Sequence, residues 1–168
     1  MARSISIDLA NPTFPWRLSR ALLASHSEAA AVMLDRFHTS PAEGTLSVHG
    51  LERHLTMQWS TPTGPQHAAH ANTLDATEHG AYAVAFAVVH AAQRYVVVRR
   101  AEHGTGADFL LVREGDPERE FIALEVSGIA RSTSGFKSRL EAKLQQVHHG
   151  LAVVVCFEDA AVALAEAR

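Results

Sequence analysis

The sequence predicts a mixed α/β sheet with helices on both faces, and three observations carry that prediction. From residue 73 onward the apolar patterns run helix, strand, strand, strand, helix, strand. The three consecutive strands are joined by short turns, which suits an antiparallel meander, while the last strand follows a helix, which suits a parallel crossover. Finally, "LAVVVCFED" at 151–159 is continuously apolar, as expected of a strand covered on both sides.

Taken in order, residues 1–15 read as extended and irregular, because Pro12 and Pro15 break any helix. Residues 16–38 read as helix: Leu18, Leu22, Ala29, Val32, Met33 and Phe37 recur at roughly helical spacing, with Ser25 or Ser27 as an internal cap. Residues 45–50 and 53–60 alternate as a hairpin, and "TPTGPQ" reads as a loop. Asn72 or Thr73 caps a helix that runs to about Gln93, and its small apolar residues go almost all the way round. Strands are expected at 94–100, 107–114 and 120–129, with "GDPER" at 115–119 as a hairpin loop and "ARSTSG" at 130–135 as a loop. Phe136, Leu140, Leu144 and Val147 make one stripe on a helix over 136–149, with Gly150 as its stop. The closing "AAVALAEAR" reads as a short helix.

Bulk properties narrow the function. The 168 residues suit one domain with a real core, and 47% apolar content is that of a folded globular chain. A net charge of −3 leaves no global basic field, so any nucleic-acid contact must use a local patch such as 99–104 with 131–143. The single cysteine, Cys156, allows no intramolecular disulfide and fits a reducing, cytoplasmic setting and a buried apolar role. No stretch reaches the roughly 18 apolar residues of a membrane span, so no membrane partner is expected.

The densest stretch is "GTGADFLLVREGDPEREFIALEVSGI", residues 104–129. It carries Asp108 at the second position of one strand and Glu125 at the sixth of the next. Counting back from the turn pairs position 108 with about 126, so the two acids lie side by side at one end of the sheet. Adjacent carboxylates repel, and one takes a proton unless a cation neutralises them. An oxygen-only pair of this kind suits Mg²⁺ or Mn²⁺. The competing reading is two solvated acids at strand ends.

The order of elements over 73–159, with Asp108 in "GTGADF" and Glu125 in "LEVSG", resembles the core of the PD-(D/E)XK nuclease superfamily. That resemblance implies a restriction-endonuclease-like αβββαβ core in the domain 73–168 and says nothing of residues 1–72, which read separately as a helix-and-hairpin extension packed on the core, covering its sheet or making a dimer surface. It further implies Glu78, Asp108 and Glu125 as metal ligands and phosphodiester hydrolysis of nucleic acid as the reaction. The chain departs from the pattern at Ser127, which stands where the motif has lysine. A lysine from the following helix takes over that role in some members, and Lys143 comes first as its replacement, Lys137 second. Arg139, Lys143 and Gln146 line up beside the apolar stripe of that helix.

Other chemistries fare worse. His67 and His70, and the adjacent His148 and His149, lack the partners of a zinc site. There is no P-loop, and Ser127 lacks the frame of a nucleophile elbow. Trp16 and Trp59 offer stacking surfaces but match ordinary packing. Two function classes remain: a metal-dependent nuclease, and a non-catalytic module on the same fold that binds a protein partner, as an immunity protein does, or a second copy as a homodimer.

Overall fold

Small side chains decide how the two longest helices meet. Ala30 on one and Gly80 on the other, both buried, meet so closely that a Cβ added to Gly80 would stand 2.9 Å from the Ala30 Cα. The computed structural model describes residues 4–116, 120–132 and 135–167. Among these, β1 (Ile5–Asp8), α1 (Arg20–Asp35), β2 (Ala42–Val48), β3 (Leu51–Gln58), α2 (Gly64–Ala69) and α3 (Thr73–Gln93) form the first half. The second half holds β4 (Tyr95–Arg100), β5 (Phe109–Arg113), β6 (Ile122–Ile129), α4 (Phe136–Gln146), β7 (Gly150–Cys156) and β8 (Ala161–Ala167).

All eight strands belong to one mixed sheet in the order β1-β3-β2-β8-β7-β6-β5-β4. The predicted meander is β4-β5-β6, antiparallel throughout, and β7 returns parallel to β6 through α4. Every residue of β7 is buried, which explains its unbroken apolar run. Leu151, Val153 and Val155 face the main core with α1 and α3, whereas Val154 and Cys156 pack with Phe136 and Leu140 of α4. The helices thus cover both faces, as the sequence predicts.

Several elements differ from the sequence reading. Residues 161–167 form a strand, paired antiparallel to β7 and parallel to β2. Alanine favours helix locally, but two open strand edges and burial of Val162 and Leu164 outweigh that weak preference. Consequently the N-terminal hairpin extends the core sheet through β8 and does not lie over it as a cover. Residues 5–8 are strand β1, because β3 supplies a parallel ladder from Leu55 to Gln58. The cap of α1 is Ser19, whose hydroxyl accepts from the Leu22 N–H, not Ser25 or Ser27. "TPTGPQ" leads into α2, closed by a reciprocal Thr63–Gln66 capping box. Asn72 caps α3. Gly150 opens β7 and is not a helix stop; α4 ends one turn earlier, with Val147 as its cap. The expected loops at 115–119 and 130–135 lie partly outside the described residues, at 117–119 and 133–134. No helix among the described residues is long and apolar enough to cross a membrane.

Candidate functional site

Strand alternation sorts β6 into two faces. Leu124 and Val126 join the main core, while Glu125, Ser127 and Ile129 face α4. Both polar residues are buried, Glu125 at 7% exposure and Ser127 at 8%. Each receives a cation from α4, one helical turn apart. Lys143 Nζ donates to Glu125 Oε1 at 2.5 Å, and Arg139 Nη1 donates to Ser127 Oγ at 3.2 Å.

Asp108 stands immediately before β5, not inside it, and the β5–β6 register of Phe109 with Leu124 puts it opposite Glu125 rather than Val126. Its N–H donates to the Leu124 carbonyl at 2.9 Å, and its Oδ2 accepts the Val126 N–H at 2.8 Å. The two acids are therefore neighbours. The preceding loop turns at Gly106, which has a positive φ of 70° and passes so near the end of α4 that a Cβ would stand 2.9 Å from the Gln146 carbonyl oxygen.

From the other side comes α3. Gly128 lets it approach: an added Cβ there would lie 2.4 Å from the Thr77 carbonyl oxygen. One turn along, the Tyr82 hydroxyl donates to Glu78 Oε1 at 2.6 Å and lies 3.5 Å from Asp108 Oδ1. Arg100 stacks over the Tyr82 and Phe109 rings, 5.5 and 5.3 Å from their centroids.

The electrostatics follow from this packing. Burial pushes the Glu125 carboxyl above its ordinary range; the Lys143 ammonium pulls it back, and the Asp108 charge raises it again. Burial, the bond to Glu78 and the charge of Asp108 together hold the Tyr82 phenol firmly protonated. Asp108 borders two hollows. One, of about 330 Å³, is walled by Arg100, His103, Gly104, Gly106 and Glu125. The other, of about 270 Å³, is walled by Leu74, Glu78, Tyr82, Ser127, Arg139 and Lys143, among others.

The structure thus brings Asp108, Glu125, Ser127 and Lys143 together. Glu78 is linked to Asp108 through the Tyr82 hydroxyl, which donates to Glu78 and lies 3.5 Å from Asp108. Lys137 is exposed and lines neither hollow. Among the described residues no three His, Cys, Asp or Glu side chains gather as a metal-holding group; Asp108 and Glu125 adjoin as a pair, and Glu78 walls the same hollow as Asp108. That pair still suits Mg²⁺, which takes one or two carboxylates and fills its other positions with waters and substrate phosphates. The lone pairs of the two carboxylates also outnumber the donors bonded to them.

Tyr82 and Arg139 are the two site residues that sequence reasoning did not assign. Tyr82 follows Glu78 at i+4 on α3, a spacing that places both side chains on one face and was there to be read. His67 and His70 lie on and just after α2, not in a loop, and pair with Asp35 and Glu28 of α1. Trp59 is buried in the core at 4% exposure. No protein-family model, no curated protein and no solved structure matches the chain.

Proposed function

We propose that the protein is a metal-dependent phosphodiesterase acting on nucleic acid, with a restriction-endonuclease-like core. The observation that carries this reading is the convergence of Asp108 and Glu125, with Lys143 placed on Glu125 from α4 where the strand itself offers only Ser127. In this reading Asp108 and Glu125 hold Mg²⁺ or Mn²⁺. When bound, the ion supplies a more acidic water and positive charge for the phosphate. The remaining work belongs to the chain. The Val126 N–H fixes the orientation of Asp108. Tyr82, kept protonated, spaces Glu78 from Asp108. Lys143 offsets the charge of the buried Glu125 and directs a donor at the attacking water.

Supercoiled plasmid, single-stranded DNA and RNA incubated with Mg²⁺ or Mn²⁺ test the proposal. Cleavage is expected, reduced about 100-fold or more by Asp108→Ala and by Lys143→Ala, and unchanged by Lys137→Ala. If the wild-type chain leaves all three substrates intact with both metals, the catalytic reading is wrong. The closed Lys143–Glu125 pair favours a second reading, in which the acids are neutralised and the fold serves as a non-catalytic module that binds a partner protein. Intact substrates together with wild-type-like folding of Asp108→Ala support that alternative.

A further inference from the structure

We infer that Arg139, held in place by Ser127, forms a phosphate-binding subsite on the α4 side of the acid pair, an inference that deepens the reading above and rests on it for the choice of ligand. The two α4 cations are not equivalent. Lys143 is compensated by a carboxylate at 2.5 Å. Arg139, one turn earlier, bonds only a neutral hydroxyl at 3.2 Å, and among the described residues no carboxylate pairs with it. A guanidinium has five N–H donors in a planar fork, so after one bond to Ser127 it still matches two oxygens of a phosphate.

Its position also fits. Arg139 opens onto the hollow of about 270 Å³ that Asp108 and Glu78 border, so a phosphate there lies beside Asp108. Ser127 is buried at the edge of the same hollow, and its oxygen sets the direction of the guanidinium. Ser127 is therefore a positioning residue. Together, Lys143 on the carboxylate and Arg139 on the phosphate divide between two helix side chains the work of one strand lysine.

A short fluorescein-labelled single-stranded DNA oligonucleotide, titrated by anisotropy without metal over a range of salt, tests this. Arg139→Ala is expected to weaken binding about 10-fold and to lower the slope of log K against log salt by about 0.7, the loss of one phosphate contact on a single strand. Arg139→Lys should keep the slope and lose part of the affinity. Ser127→Ala should weaken binding less, and should add nothing on top of Arg139→Ala. An unchanged slope in Arg139→Ala overturns the inference even if the wild-type chain cleaves DNA. The expected slope change in a chain that never cleaves upholds the subsite and sinks the nuclease reading. No binding by the wild type sinks both. Arg139 is exposed, so its variants should fold; matching thermal melts check this, and Arg139→Gln replaces any that does not.

Discussion

The site is walled by two helices of opposite character. α3 has twelve buried residues out of 21 and is wedged between α1 and the sheet. α4 has no buried residue in its 11 and rests on the sheet through the half-buried Phe136 and Leu140. The acid pair lies between them, Glu125 on β6 and Asp108 just before β5: the well-packed wall supplies Tyr82 and Glu78, and the exposed wall supplies Arg139 and Lys143. The buried Tyr82 comes from the side where packing enforces geometry, while the long cationic chains, which reach across on their own flexible stems, come from the side where it does not.

The contrast breaks most visibly in the core. Phe86 on α3 is almost fully buried and meets Phe109 edge-on, with ring centroids 4.8 Å apart. Phe86→Ala should cost about 3–5 kcal/mol in urea unfolding. A loss below about 1 kcal/mol would show that α3 is not the rigid wall described.

A smaller effect comes from His26, where α1 meets α3. Its ring is 3% exposed, neither nitrogen has a hydrogen-bond partner among the described residues, and it is surrounded by His79, Tyr82 and Phe86. Burial lowers its pKa to about 4; His79 and Arg100 push the same way, and Glu78 opposes them. Between pH 6.5 and 4 the unfolded chain takes up this proton and the folded chain does not. Stability is therefore complete above pH 6.5 and falls as pH drops toward 4, by up to about 3 kcal/mol. Urea melts at several pH values should show this slope flattened in His26→Phe; identical slopes would contradict it.

The mildest change sharpens the contrast from the other side. Leu140→Ala on α4 should cost only about 1 kcal/mol, since its side chain keeps water on one flank. A cost equal to that of Phe86→Ala in the same urea series would mean that the two walls are alike.

Where the signal lay within one element, the sequence was readable. α3, α4 and β7 announce themselves by period or by an unbroken apolar run, and the hairpin count brought Asp108 beside Glu125 with an error of one residue. The misses share a cause. β1 and β8 are strands because of partners distant in the chain, and nothing within "ISID" or "AVALAEA" names those partners. The pairing of Arg139 with Ser127 depends on how α4 rotates over β6, which spacing along one helix does not specify. Glu78 was placed on the correct helix, but its distance from the other acids is set by the Tyr82 ring, a matter of packing and not of pattern.

β8 has a consequence for the order of assembly. Among the described residues it follows every other strand in sequence, yet it lies fourth in the sheet and is the one strand that links the hairpin β2–β3 to β7. Neither β2 nor β7 can gain this strand partner until residues 161–167 are made. The joining step closes a contact between segments distant in sequence, the kind that slows folding. β8 is thus the keystone of the arch.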